Sequence, residues 1–100
     1  MDEPLPIELP IDGTLDLHAF DPREVKGLVK DYLSACRERD ILVIRIIHGK
    51  GTGALRRTVH SVLAALSEVA SFRLGGEAEG EWGATIVNLR PPKRASRKNK

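Results

Sequence analysis

The sequence predicts one two-layer α/β domain of the α+β kind. Its elements run βαβαββ, giving a mixed four-stranded sheet with two helices on one face. Three observations predict it. Ile41-Leu-Val-Ile-Arg-Ile-Ile47 is apolar except for Arg45, and so short a run of β-branched residues between helical patterns reads as a buried parallel strand. Apolar residues recur at helical spacing on both sides of that run. Finally, 100 residues leave room for a single domain with a modest core.

Residues 1–10 contain Pro4, Pro6 and Pro10, which favours an extended N-terminal arm over any helix. Asp12-Gly13 makes a turn. Thr14-Leu-Asp-Leu-His18 then alternates, with Leu15 and Leu17 toward one face and Asp16 and His18 toward the other, as a first strand. Asp21-Pro22-Arg-Glu24 opens a helix, with Asp21 as N-cap, Pro22 at N1 and Glu24 at N3. Val25, Leu28, Val29, Tyr32, Leu33 and Cys36 form its apolar stripe, and it ends near Arg39-Asp40.

The central strand follows, then a second helix with Leu55, Val59, Val62, Leu63, Leu66 and Val69 on one side. Arg56, Arg57 and His60 fall outside that stripe, and His60 reads as part of a solvated polar face. Phe72-Arg-Leu74 makes a short third strand. Residues 75–83 form a polar, acidic, glycine-rich hairpin loop containing Trp82, and Ala84-Thr-Ile-Val-Asn-Leu-Arg90 is the last strand. The domain therefore spans residues 11–90, with residues 91–100 as a basic disordered tail.

The net charge of +2 conceals an uneven distribution. Arg90, Lys93, Arg94, Arg97, Lys98 and Lys100 are clustered at the end, which leaves ten basic against 14 acidic residues elsewhere. Such a tail suits electrostatic attachment to nucleic acid, and equally simple solubility. The single cysteine, Cys36, allows no intrachain disulfide and lies on an apolar stripe, so it reads as an inert core thiol. No window approaches a membrane span, and Met-Asp-Glu-Pro is unlike a signal peptide. A cytoplasmic monomer is expected.

The central strand ends at His48 and runs into Gly49-Lys-Gly-Thr-Gly53, directly before the second helix. A strand, a glycine-rich turn and a helix start can cradle a phosphate, because glycines let amides face inward and the helix N-terminus adds positive charge. A tight turn with positive φ that binds nothing would look similar. The neighbours favour a site: His48 titrates near neutrality, Lys50 is a fixed cation, and Arg56 and Arg57 in the first helical turn oppose the dipole unless an anion lies close. The spacing matches neither a Walker A loop nor a dinucleotide-binding G-x-G-x-x-G, which disfavours an ATPase or a dehydrogenase.

If the first two long strands are parallel, His18 and His48 converge at carboxyl ends, the edge where open α/β sheets bind ligands. Two such histidines suit general acid–base cleavage of RNA, with Lys50 offsetting charge in the transition state. Asp16 would orient a histidine, hold a metal, or simply bond a loop amide.

Together these stretches resemble a known family. Leu15-Asp-Leu-His18, then His48-Gly-Lys-Gly-Thr-Gly53, then Gly83-Ala-Thr-Ile-Val87 are similar to the motifs of the Smr, or small MutS-related, domain across about residues 11–90. The resemblance implies a fold like the C-terminal domain of a bacterial translation initiation factor. It also implies an endonuclease that nicks DNA when appended to MutS-like proteins or cleaves mRNA in ribosome rescue; other members only bind. Carried over by residue, the LDLH motif falls on Leu15, Asp16, Leu17 and His18, and HGxG on His48, Gly49, Lys50 and Gly51. Two positions depart from the pattern: Ala19 replaces a common glycine, and Gly80-Glu81-Trp82-Gly83 replaces a Gly-Gly-x-Gly turn.

The expected function is thus a nucleic-acid endonuclease, on RNA or DNA, with catalytic His18, His48, Asp16 and Lys50. Gly49, Lys50, Gly51, Thr52, Gly53, Arg56, Arg57 and Trp82 would bind the nucleic acid. The alternatives are a non-catalytic nucleic-acid-binding module and, more weakly, a protein adaptor using the open sheet face. The sequence requires no cofactor, admits a divalent metal, and admits a ribosome as a larger partner.

Overall fold

The computed structural model describes residues 9–79 and 83–92. Its strands are β1 (Thr14–Asp16), β2 (Val43–Ile47), β3 (Val69–Leu74) and β4 (Ala84–Leu89), and its helices are α1 (Val25–Glu38) and α2 (Ala54–Ala65). The order βαβαββ is as expected. The sheet runs β1-β2-β4-β3, with β1 and β2 parallel and β4 antiparallel to both its neighbours.

Pairing register decides which residues meet the helices. Leu15 lies opposite Ile46, Ile44 opposite Val87, and Phe72 opposite Val87. Leu15, Ile44, Ile46, Val87 and Leu89 join the buried stripes of α1 and α2 in one core. The opposite sheet face carries Val43, Arg45, Ile47 and Arg73, and Val43 is 62% exposed. The central strand is therefore fully buried on its helix face, at Ile44 and Ile46, and only partly on the other, where Arg45 and Ile47 are half-buried and Val43 is exposed, although its apolar run suggested burial on both.

Local chemistry sets the element ends. Asp21 accepts a bond from the Arg23 amide at 2.8 Å, and Pro22–Glu24 forms a single 3-10 turn leading into α1. At the other end, Ile41 N–H bonds to Cys36 C=O at 2.9 Å and Asp40 N–H to Arg37 C=O at 3.1 Å, around Asp40 at φ +60°. This is a Schellman closure built on aspartate instead of glycine. Cys36 is buried, which pushes its thiol pKa up.

Three boundaries differ from expectation. β1 stops at Asp16, because Leu17–Ala19 turns as a 3-10 helix capped by the Asp16 carboxylate. Val69 begins β3 and does not end α2: Leu66 N–H closes on Leu63 C=O, and Val69 N–H bonds to Leu66 C=O across a turn. Its fit to the helical stripe is a coincidence of spacing. β4 stops at Leu89, one residue before the expected end; Arg90, the first of the six basic residues clustered toward the end of the chain, is held in place, with its amide on Glu68 C=O, its Nε on Ser67 C=O and its carbonyl accepting from Arg37 Nε. Trp82, most of the N-terminal arm and residues 93–100 lie outside the described residues.

Tyr32 joins α1 to the start of β1. Its buried hydroxyl accepts from Gly13 N–H at 3.0 Å and donates to Thr14 C=O at 3.1 Å. Burial raises its pKa to about 12. Tyr32→Phe would orphan a buried donor and acceptor, and should cost about 1–3 kcal/mol in urea unfolding. The raised pKa means that the native state keeps its proton when the unfolded chain loses it near pH 10. Stability contributed by this group is therefore present below pH 10 and lost as pH rises toward about 12.

Candidate functional site

Three chain segments meet at the carboxyl ends of β1 and β2. Because β4 lies beside β2, with Ala84 opposite Ile47, the end of the β3–β4 hairpin loop reaches the same edge. His48 N–H and Gly49 N–H both donate to Gly83 C=O, at 2.9 and 2.8 Å. These two amides are therefore taken up by the hairpin and do not face a ligand.

Asp16 and His18 form a pair on the exposed side. One carboxylate oxygen of Asp16 accepts from His18 N–H at 3.0 Å and from His18 Nδ1 at 2.7 Å. A carboxylate only accepts, so Nδ1 carries the hydrogen and the neutral ring presents a bare Nε2. That Nε2 lies 3.2 Å from the point where a Cβ on Gly49 would stand. The bond from the His18 amide is the main cause holding the Asp16 pKa below its usual value. The turn that displaced His18 from the predicted strand is thus what aims its ring at the loop.

Of the three loop glycines, Gly49 and Gly53 have φ of +85° and +92°. Gly51 does not, and nothing lies within 4 Å of its Cβ position, so Gly51 is not the residue that needs a glycine's freedom. Over Gly53 two cations fold back: its Cβ position is 3.0 Å from Arg56 Nη2 and 3.3 Å from Arg57 Nη1. Thr52 Oγ1 accepts from Ala54 N–H at 3.3 Å at the start of α2, and Lys50 is exposed at the loop tip. Between them opens a cavity of about 240 Å³ lined by His48, Gly49, Gly51, Thr52, Gly53 and Arg56, with Pro22 also on its wall. It is large enough for a phosphate group.

His48 does not project into this cavity as expected. Its side chain is the floor, 5% exposed, with Nδ1 2.9 Å from Gly49 C=O and Nε2 2.8 Å from Thr85 Oγ1. The reason is register: β2 and β4 carry residues 46 and 85 onto the helix side of the sheet, and the loop folds the ring inward above them. His60, assigned by periodicity to the solvent, also reaches Thr85 Oγ1 with Nε2 at 2.8 Å and packs on Phe72 at 4.9 Å. The available signal was its place at the border of the stripe, next to Val59 and three residues before Leu63, both of them buried.

Burial lowers the pKa of His48 most; the bond to Gly49 C=O opposes this and the Arg56 charge adds to it. Burial also lowers His60, followed by the charges of His48 and Arg56. With both native pKa values below 6.5, the unfolded chain takes up protons first as pH falls. Stability should be full above pH 6.5 and decline below it, which melting curves between neutral pH and about pH 5 will show. Among the described residues no group of three or more His, Cys, Asp or Glu is placed to hold a metal ion, and no helix is long and apolar enough to cross a membrane.

Residues 15–90 match the family model of the Smr domain. Relatives include endonuclease MutS2 of Clostridium botulinum (strain Eklund 17B / Type B), 38% identical over 80 residues, and of Acetivibrio thermocellus, 41% identical over 80 residues. Each alignment covers 80% of this chain and 10% of the relative, so the chain spans about a tenth of their length. The crystal structure of the Smr domain of Thermus thermophilus MutS2 superposes with a TM-score of 0.73 at 36% identity, over 78% of this chain and 98% of that one. YdaL, a stand-alone small MutS-related protein from Escherichia coli, shares the fold with a TM-score of 0.74 at 24% identity, over 81% of this chain and 66% of its own.

Proposed function

The chain belongs to the Smr domain family, and from that premise we propose that it is an endonuclease that cleaves single-stranded RNA in the cleft between His18 and the glycine loop. The observation that carries this reading is the Asp16–His18 pair, whose bare Nε2 abuts Gly49 beside a phosphate-sized cavity. A scissile phosphate seated in the loop puts its neighbouring 2′-hydroxyl within reach of a base already in the right tautomer. His18 Nε2 takes the hydroxyl proton, and Asp16 stabilises the resulting imidazolium. Arg56, Lys50 and the first-turn amides of α2 offset the charge that builds on the phosphate. The 2′-oxygen attacks phosphorus as the bond to the 5′-oxygen breaks, leaving a cyclic phosphate; the 5′-oxygen takes a proton from water in the open cleft, and the hydroxide so formed recovers the proton held by His18.

His48 has a different part in this scheme from the one its motif suggested. With both ring nitrogens engaged, it shapes the loop and does not exchange protons with the substrate. The same burial favours a second reading, a module that clamps phosphate without cleaving, because one of two expected acid–base groups is withdrawn.

Incubating the protein with labelled single-stranded RNA, and separately with duplex DNA, each with and without EDTA, tests both. Cleavage of RNA that persists in EDTA supports the scheme. Salt-sensitive binding of both probes with no cleavage of either would leave the clamp, and nicking of DNA alone would exclude a mechanism that needs the 2′-hydroxyl.

A further inference from the structure

Thr85 sits where the core needs an apolar side chain. It is on the helix-facing row of β4, opposite Ile46 on one side and Leu74 on the other, and is 0% exposed. A valine would fill that position without the cost of burying a hydroxyl. The hydroxyl is instead met from two directions, by His48 Nε2 and His60 Nε2, each at 2.8 Å. The two rings stand edge to face with centroids 6.1 Å apart.

Counting hydrogens gives this arrangement a direction. Gly49 C=O can only accept, so His48 Nδ1 carries a hydrogen, and the neutral ring has none left for Nε2. Nε2 must accept, and the single hydrogen of Thr85 points to it. The Thr85 oxygen then has lone pairs for His60, whose Nε2 must donate. The sequence of bonds is His60 Nε2–H to Thr85 Oγ1–H to His48 Nε2, then His48 Nδ1–H to Gly49 C=O. It begins on α2, crosses β4 and ends on the glycine that abuts His18.

We propose that Thr85 and His60 are positioning residues of the phosphate loop, acting through His48 to lock the Gly49 peptide against His18 Nε2. This rests on the reading of the loop as a nucleic-acid phosphate site. His48 with its hydrogen on Nε2 would lose the Gly49 carbonyl and leave that peptide to turn. Thr85 excludes this tautomer only while its own hydrogen is directed by His60. Neither residue need touch the substrate.

The test combines ring nitrogen NMR with binding of a short fluorescent single-stranded RNA. In the parent protein at neutral pH, His48 should show the Nδ1–H form and His60 the Nε2–H form. Thr85→Val should give His48 a mixed tautomer signature and weaken binding about tenfold, the scale of one buried hydrogen bond. Thr85→Ser, which keeps the hydroxyl, should restore most of both. His60→Gln, which keeps a donor, should stay nearer the parent than His60→Phe, and these two variants serve if Thr85→Val does not fold.

An Nε2–H form of His48 in the parent would overturn the proposal, as would a folded Thr85→Val protein with parental tautomers and affinity. A parent protein that binds no RNA would overturn the reading of the loop itself, and the ring spectra would still decide the hydrogen-bond chain.

Discussion

Replacing His18 with alanine should lower the rate of RNA cleavage by about 10²–10⁴-fold, the usual contribution of a positioned general acid or base, with little change in melting temperature. The His18 side chain is 65% exposed, so its removal opens no cavity in the core. Asp16→Asn should fall between the parent and His18→Ala: the amide oxygen still accepts from Nδ1–H, but the charge that stabilises the imidazolium is gone. Initial rates under substrate excess, beside melting curves, separate these effects. His18→Ala cleaving at the parental rate would remove the Asp16–His18 pair from the chemistry.

Gly49→Val should damage both stability and function, and Gly51→Val far less. Gly49 is at φ +85°, a conformation that β-branched residues rarely adopt, and its new Cβ would stand 3.2 Å from His18 Nε2. Strain of that kind costs about 1–3 kcal/mol, and its relief would push away the ring proposed as the base. A lower urea midpoint together with weakened RNA binding is the expected result. Gly51 has no positive φ and open space at its Cβ, so substitution there should change stability by no more than about 0.5 kcal/mol. Equal effects at the two positions would mean that the loop is not held as described.

What could be read in the sequence was what depends on near neighbours in the chain. The stripe from Val25 to Cys36, the Asp21-Pro22 helix start and the strand, glycine loop and helix around His48 each follow from periodicity or turn chemistry within about one element. So does the placing of His18 and His48 at one sheet edge, once β1 and β2 are taken as parallel. The Smr motifs are visible for the same reason: each is a short local pattern.

The tertiary structure alone decided how that edge is finished. The insertion of β4 between β2 and β3 brings Gly83 to the amides of His48 and Gly49 and puts Thr85, 37 residues away in the chain, under the His48 ring. That contact buries a histidine whose motif suggested exposure, and it draws in His60, which a helical wheel of α2 turns outward. No local pattern encodes such a bond. It exists because strand pairing and helix packing, set by the burial of the whole apolar face, bring two histidines, one from the loop after β2 and one from α2, onto the single hydroxyl of a β4 residue.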